Sequence, residues 1–244
     1  MTEITPSAEV QTGKSPNLLQ RVVGVIFSPR QTYQAVARRP VVLGAMLVVL
    51  ALSGTATYWL MNSEAGKRVL AASFEQSIRE AEANGDVTPE QRQQMRTVFE
   101  FIGKVSAVAT FIVIPAFIAA LAAILMGVLN ALYGGEASYR QVFAVVTHAW
   151  LIFALTGLVT IPLMVAKGEM TSPSTIGALL PMLPDDSFIT RLLGAIDFVW
   201  IWMLINLAIG LAVLYKRKTG PLATSLLATY GCIALIIATA RTVF

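Results

Sequence analysis

The residues best suited to chemistry in this chain are a few polar side chains within or beside long apolar segments. They are Asp197, His148, Asn206, Asn130 and Lys104. Polar groups are costly to bury in a bilayer, so such side chains mark either a polar pathway through the membrane or hydrogen bonds between neighbouring helices. Hydrogen bonding between helices is the favoured interpretation, because these side chains are too few to line a pathway.

The depth of each side chain decides which of them can meet. At a rise of ~1.5 Å per residue, Asp197 lies about 8 Å below the outer edge of its apolar segment, and His148 lies about 9 Å above the inner edge of its own. These positions fall in opposite halves of the bilayer and exclude a proton relay between the two. Asn206 lies at nearly the depth of His148, with Asn130 close to the same layer. Lys104, at the outer end of its segment, is the candidate partner of Asp197.

The same residues argue against catalysis and against a metal centre. A nucleophilic dyad would need a serine near His148, but the apolar segment around it contains none, and the chain has no G-x-S-x-G motif. Asp197 is the only acidic residue in any apolar segment, so no pair of carboxylates forms there. A single histidine and a single cysteine, Cys232, exclude a zinc site built from several such ligands. The sequence predicts a protein that is not an enzyme and binds no cofactor.

Five long apolar segments must position these side chains. They span residues 41–61, 105–132, 142–166, 192–214 and 222–240. Each is close to the ~20 residues with which a helix crosses a hydrocarbon core, and a helix satisfies its own backbone polar groups inside lipid. Charged residues make up 13% of the chain, against ~25% in soluble domains. The sequence therefore predicts an all-α, polytopic transmembrane bundle of five spans.

The region before the first span has two parts. Residues 1–16 are polar, lack periodicity and are predicted to form a disordered tail. From residue 17 onward apolar side chains recur on one helical face, and Ser28 and Pro29 then restart the helix as N-cap and first helical residue. A basic amphipathic segment of this kind is typical of an interfacial helix lying on the membrane surface. A helix packed against the underside of the bundle fits the pattern equally well.

Residues 62–104, between the first two spans, are long enough to form structure outside the membrane. Residues 63–83 show a partial apolar stripe at helical spacing. Thr88 and Gln91 form the ends of a capping box, which predicts a second helix that runs into the second span. The insertion is therefore predicted to be an extramembrane helical hairpin. It is either a docking surface or, as the favoured interpretation, a packed cap over the bundle.

Basic residues flank the spans unevenly. Those before the first span and after the fourth include Arg21, Arg30, Arg38, Arg39, Lys216, Arg217 and Lys218. Short loops rich in lysine and arginine stay in the cytosol, so the N terminus is predicted to be cytosolic and the C terminus to be outside. These residues are candidates for contact with the membrane surface. Because the basic charge lies beside the spans, nucleic acid is not a predicted partner.

Three short motifs carry a resemblance to a known family. They are Val25-Ile26-Phe27-Ser28-Pro29-Arg30 with Tyr33, Tyr133-Gly134-Gly135 with Tyr139-Arg140-Gln141-Val142-Phe143, and Asp197-Phe198-Val199-Trp200-Ile201-Trp202 with Gly210. In this order they resemble the bacterial branch of the Yip domain family, polytopic membrane proteins named for eukaryotic Ypt/Rab-GTPase-interacting members. The resemblance implies a Yip-like membrane domain over residues 17–244, a cytosolic N terminus and a place in the bacterial inner membrane. The acidic Tyr-Gly-Pro signature of eukaryotic members is missing and the 62–104 insertion is extra, so Rab-type partners are not implied.

Three classes of function fit these features. The predicted one is a non-enzymatic integral membrane protein that scaffolds partners or organises the bilayer, with lipid, other membrane proteins or copies of itself as partners. The first alternative is a small transporter or channel in which Asp197, His148 and Asn206 line a route. The sequence shows no inverted repeats, which counts against this alternative. The second alternative is an accessory subunit of a membrane export complex.

Overall fold

The computed structural model describes residues 16–83, 85, 87–135, 137–180, 182, 184 and 187–243, with the backbone alone for 241–243. The predicted tail, 1–16, lies outside these residues except for Pro16. The helices, in chain order, are α1 (Leu18–Phe27), α2 (Pro29–Arg38), α3 (Leu43–Asn62), α4 (Glu64–Ala83), α5 (Pro89–Tyr133), α6 (Tyr139–Lys167), α7 (Phe188–Gly194), α8 (Phe198–Leu214) and α9 (Thr219–Val243). A single turn of 3-10 helix, Gly177–Leu179, precedes α7.

Four of the described helices are long and apolar enough to cross a membrane, namely α3, α5, α6 and α9. The predicted capping box of Thr88 and Gln91 is present at the start of α5. From there α5 continues for 45 residues, which confirms that one helix runs unbroken into the second apolar segment. α8 is strongly apolar but has 17 residues. At ~1.5 Å per residue it is about 26 Å long, slightly less than the ~30 Å of a hydrocarbon core.

The first half of α6 lies at the centre of the bundle. Every residue from 144 to 149 is buried, because α3, α5 and α8 pack around this helix together with α1 and α2. Contacts with α8 show the relative direction of the two helices. Gly210 lies against Val145, whereas Trp200 meets Phe153 edge-on, with ring centroids 4.6 Å apart. Residue numbers rise along one helix as they fall along the other, so α6 and α8 are antiparallel.

The two N-terminal helices pack on the bundle. Asn17 and Gln20 form a capping box at the start of α1, and both of its hydrogen bonds measure 2.9 Å. Ser28 is the N-cap residue of α2 and Pro29 is its first residue, as predicted, although the Ser28 side chain makes no capping hydrogen bond. α2 packs against α8 and α6, and its Tyr33 side chain is fully buried. The pair of helices α1 and α2, which pack on each other, is called the N-terminal hairpin below.

The insertion between the first two predicted spans contains α4 and the beginning of α5, which touch through their side chains. Phe74 and Phe99 stack with ring centroids 4.3 Å apart. Arg92 forms ion pairs with Glu75 at 3.4 Å and with Glu82 at 3.3 Å. Partly exposed ion pairs contribute only ~0.2–1 kcal/mol each. The aromatic stack is therefore the principal contact that we expect to hold the two helices together.

The helix expected over residues 192–214 differs from the structure at its beginning. α7 ends at Gly194 and α8 begins at Phe198. Between them the chain pairs with the loop that follows α6. The Ile176 N–H donates to the carbonyl oxygen of Ile196 at 2.9 Å, and the Phe198 N–H donates to that of Ser174 at 3.0 Å. These bonds take up backbone groups that a continuous helix would have used, so the apolar segment is divided in two.

Candidate functional site

Asp197 lies at the start of α8, where its side chain caps the helix. Its carboxylate accepts hydrogen bonds from the Val199 N–H at 2.7 Å and from the Ser174 hydroxyl at 2.8 Å. The Asp197 N–H donates to the hydroxyl oxygen of Tyr230, whose own proton goes to the carbonyl oxygen of Ala195, both at 2.9 Å. Asp197 is only 8% exposed, and these local bonds account for its burial.

This position corrects two expectations about Asp197. The residue lies at the end of α8 and not some way into a helix, because the helix starts six residues later than the apolar segment does. Lys104 forms no ion pair with Asp197 in the part of the chain that the structure describes. The carboxylate instead bonds to Ser174 and Val199. Asp197 therefore has an evident structural role in starting the helix.

Replacing Asp197 by alanine tests that role. We expect Asp197→Ala to lower the free energy of unfolding by about 1–2 kcal/mol, because the first N–H groups of α8 lose their acceptor and the Ser174 hydroxyl loses its partner. Asp197→Asn is the matched control, since it keeps a side-chain oxygen that accepts from the Val199 N–H. Thermal unfolding of the full chain in detergent measures the difference. Equal stability of the three proteins would contradict the capping role.

His148 of α6, Asn206 of α8 and Tyr33 of α2 are buried polar residues at a similar level of the bundle, and they are called the polar cluster below. The contact between Val145 and Gly210 sets the register of α6 and α8, and this register places His148 level with Asn206 one turn further along. Tyr33 packs on Gly210 so closely that a methyl group added there would lie 2.9 Å from two ring carbons. The Nδ1 atom of His148 donates to a carbonyl oxygen of its own helix at 2.7 Å.

Several polar atoms of this cluster have no hydrogen-bond partner. Asn206 and Tyr33 are both 0% exposed, and the two amide atoms of Asn206 and the hydroxyl of Tyr33 are unpaired. Burial raises the pKa of the Tyr33 hydroxyl, so this group stays neutral. An unpaired buried polar group costs ~1–3 kcal/mol. The N-terminal hairpin is therefore held less firmly against α8 than it would be by an apolar contact of the same size.

Asn130 lies away from the polar cluster, at the end of the bundle where the loops after α5 and α8 meet. The Tyr215 hydroxyl donates to Asn130 Oδ1 at 2.8 Å. The same ring packs on Gly135, where an added methyl group would lie 2.8 Å from it. The guanidinium of Arg217 sits over the ring of Tyr133, 4.9 Å from its centroid. Asn130 thus helps to hold two loops together.

The junction of α2 and α3 reaches the same end of the bundle. The Arg140 side chain donates to the carbonyl oxygen of Pro40 at 3.2 Å. The Gln141 side chain donates to the carbonyl oxygen of Ala37, also at 3.2 Å. The basic residues at this end, called the basic end below, are Arg38, Arg39, Arg140, Lys216, Arg217 and Lys218. Arg21 lies in α1 and Arg30 in the first turn of α2, which the contacts of Ala37 with Gln141 and of Tyr33 with Gly210 place further along the bundle. The described residues at this end include no acidic side chain, and Glu136 lies outside them. The basic end therefore carries a positive electrostatic potential.

The predicted polar residues occupy three separate levels of the bundle. Asp197 lies at the end away from the basic residues, His148 and Asn206 lie in the polar cluster, and Asn130 lies at the basic end. Within the described ranges, no group of three or more histidine, cysteine, aspartate or glutamate side chains is placed to hold a metal ion. What the arrangement offers is a charged surface at one end, hydrogen bonds that join separate elements at Asp197 and Asn130, and buried unpaired groups at Asn206 and Tyr33.

Apolar helices of membrane-spanning length and the charged end together define an integral membrane protein of the all-helical, polytopic class. A sequence model of the Yip1 domain matches residues 23–241, and the chain belongs to the Yip1 domain family. It is also similar to the membrane protein YknW of Bacillus subtilis strain 168, with 24% identity over 197 residues that cover 81% of this chain and 77% of that protein. No solved structure matches the chain. The family expected from the three sequence motifs is confirmed.

Proposed function

We propose that this member of the Yip1 domain family is a non-enzymatic protein that organises the bilayer or scaffolds other membrane proteins. The observation that carries the proposal is the basic end, where the basic side chains lie at the junctions of α2 with α3, α5 with α6 and α8 with α9. Each basic residue close to an anionic membrane surface contributes ~1 kcal/mol of attraction. Such a surface fits the cytosolic leaflet, which is the more anionic one.

The proposal includes α8 as a fifth span beside the four longer helices. α8 runs antiparallel to α6. Its first two turns contain Trp200 and Trp202, and tryptophan is enriched at the interface between membrane and water. Its shortfall of a few ångström is small, because local thinning of a bilayer costs only fractions of a kcal/mol per ångström. With five spans the basic end and the N terminus are cytosolic, and α9 carries the C terminus to the outside. A bacterial protein of this type would lie in the inner membrane.

The hydrogen bonds of the polar side chains favour a structural role over transport. Asp197 caps α8, Asn130 accepts from Tyr215, and His148 is bonded within its own helix. For these three residues the bonds account for the positions of the side chains without invoking a transported solute, whereas Asn206 is buried without a partner. Transport across the bundle would need polar groups that follow one another closely, whereas eight apolar residues of α8, 198–205, separate Asp197 from Asn206.

The helices of the insertion offer a surface for protein partners at the opposite end of the molecule. Val98, Phe101 and Ile102 of α5 are each more than half exposed. Large apolar side chains left exposed in a group mark sites of interaction with another protein or with lipid. The partner that we propose for this surface is another membrane protein or a second copy of the chain.

Cross-linking in the native membrane tests the interaction role. The tagged full-length protein is cross-linked mildly, purified and analysed by mass spectrometry. We expect a stoichiometric protein partner, or a second copy, which is lost when residues 63–103 are replaced by a short linker. A control variant that lacks residues 2–15 shortens the chain elsewhere and should keep the partner.

Two results would contradict the interaction role. One is the recovery of neither a partner nor a second copy with the full-length protein. The other is a partner that the linker variant and the control variant retain equally, because the insertion would then not be the surface that binds it. Both variants are first checked for normal abundance in the membrane, so that loss of the protein is not taken for loss of the partner.

A further inference from the structure

α2 runs from the depth of the bundle towards the basic end. Near that end the Gln141 side chain donates to the carbonyl oxygen of Ala37. One turn deeper, Tyr33 and Val145 both pack on the same glycine of α8. These two pairs of contacts show that α2 and α6 are antiparallel, so the first turn of α2 lies level with His148. At ~1.5 Å per residue, this level is about 14 Å from the start of α6.

α1 lies beside α2 over the same depth. Leu18 packs on the first turn of α3, where a methyl group added at Gly44 would lie 3.0 Å from it. In the middle of the hairpin, Gly24 lies so close to Thr32 that no methyl group fits between them. The tip of the hairpin, at Phe27, is therefore its deepest part. Each helix has 10 residues and is about 15 Å long, which is half the thickness of a hydrocarbon core.

The exposed faces of the two helices differ in polarity. The exposed large side chains along α1 are apolar, and those of α2 are all polar or charged. The residues concerned are Leu19, Val23 and Phe27 of α1 and Arg30, Gln31, Gln34 and Arg38 of α2. Charged and polar side chains are costly to place in hydrocarbon. The exposed face of α1 therefore suits lipid, whereas that of α2 needs polar surroundings.

The direction of α2 makes this need strongest at Arg30. Side chains on a helix lean towards its N-terminus, and the N-terminus of α2 is its deeper end. The Arg30 side chain therefore leans away from the surface at the basic end. An arginine that snorkels bends the opposite way, towards the nearer surface. Water that reaches the level of Arg30 supplies the polar surroundings without such a bend.

The space beside α2 has room for water. An open groove between α1 and α2 has a volume of about 750 Å³, whereas one water molecule takes up ~30 Å³. The α1 wall of this groove is apolar, and its α2 wall includes Ser28 and Gln31. α8, on which α2 packs, is about 26 Å long against the ~30 Å of a hydrocarbon core. A bilayer becomes locally thinner beside a short helix.

We infer that water fills a recess along the exposed face of α2, in the leaflet at the basic end. The recess opens at the basic end and reaches Arg30, level with His148. The inference rests on the proposed function, because it takes the basic end to lie at a bilayer surface. It gives the organising of the bilayer a place and a form, namely a loss of hydrocarbon thickness on one side of the bundle.

Cysteine reactivity in nanodiscs tests the recess. Each nanodisc holds one copy of the full-length chain with Cys232→Ser, and both faces of the disc are open to the reagent. Single cysteines replace Gln31 and Gln34 on α2, or Leu43 and Leu47 on α3, and a charged methanethiosulfonate is added. We expect the α2 cysteines to react at least about ten-fold faster than the α3 cysteines, because a charged reagent is costly to move into hydrocarbon.

The two α3 positions are matched to the α2 positions in depth. Leu43 and Leu47 lie in the first two turns of α3, which follows Pro40, and Arg140 at the start of α6 bonds to Pro40. Both leucines are more than half exposed. They are therefore at a depth similar to that of the α2 positions, on a face that suits lipid.

Three results would overturn the recess. If the α2 cysteines react as slowly as the α3 cysteines, lipid covers the face of α2. If all four react fast, the reagent reaches this depth everywhere and α2 is not a special place. If the α2 cysteines react fast in the nanodiscs but are protected in native membranes, another protein or a second copy covers the face instead of water.

Failure of the recess would not resemble failure of the proposed function. The partner cross-linking depends on residues 63–103, at the other end of the molecule. Slow α2 cysteines together with an intact cross-linked partner would overturn the recess and leave the interaction role standing. Fast α2 cysteines in a protein without a partner would do the reverse.

Discussion

Gly210→Ala is expected to lower the free energy of unfolding by about 1–3 kcal/mol, which is the usual effect of overpacking a buried contact. The added methyl group would lie 2.5 Å from Cγ1 of Val145 and 2.9 Å from the ring of Tyr33. Neither neighbour can move freely, because Val145 and Tyr33 are fully buried where α2, α6 and α8 meet. The substitution should therefore push the N-terminal hairpin away from α8.

Gly127→Ala is the matched control, since it makes the same change in another long apolar helix. A methyl group added there meets no atom within 4 Å, and alanine is the better helix former by about 1 kcal/mol. This variant should be as stable as the wild type or slightly more so. Unfolding of the three proteins in a series of denaturing detergent mixtures measures the differences. A Gly210 variant as stable as the wild type, or equal damage at both sites, would contradict the packing of Tyr33 on α8.

The sequence predicted those structural elements whose stability depends mainly on their own residues. Long apolar segments have few alternatives to a helix in lipid, so α3, α5, α6 and α9 cover the expected first, second, third and fifth segments. The capping box of Thr88 and Gln91 is equally local, because both of its hydrogen bonds join residues three apart. The start of α5 and its continuation into the membrane segment were predictable for this reason.

Contacts between distant residues were not predictable. Ser174 and Tyr230 bond to Asp197 from 23 and 33 residues away, and nothing in the local pattern links them to it. The same holds for Tyr33, which the sequence analysis named only as part of a family motif. Its unpaired hydroxyl in the polar cluster follows from the way in which α2 packs on α8. A continuous apolar segment also gave no sign that backbone pairing would divide it before Asp197.

The face of α5 that is buried was also not predictable from the sequence. Small residues recur every four positions along it, a pattern that favours close packing against another helix. They are Ala119, Ala123, Gly127 and Ala131. The side chains that this helix buries are Ile118, Ala122, Leu125 and Leu129, and three of the four small residues are exposed. Small side chains permit a close contact, but which face has a neighbour depends on the positions of the other helices.

The second prediction concerns the side of the membrane on which the basic end lies. The functional proposal needs Arg39, at the junction of α2 and α3, and Lys218, between α8 and α9, on the cytosolic side. Gln94 at the start of α5 and Glu169 after α6 must then lie outside. The expected difference in labelling between the two pairs of positions is large, because each position is accessible from one side of the membrane only.

Cysteine labelling in oriented membranes measures this directly and tests the central claim of a five-span protein with a cytosolic basic end. Single cysteines replace Arg39, Lys218, Gln94 and Glu169 in a chain that carries Cys232→Ser, and a membrane-impermeant maleimide is added to right-side-out vesicles. We expect the cysteines at 94 and 169 to react at once and those at 39 and 218 to react only after permeabilisation. Labelling of 39 and 218 from the outside, or on opposite sides of the membrane, would contradict the account.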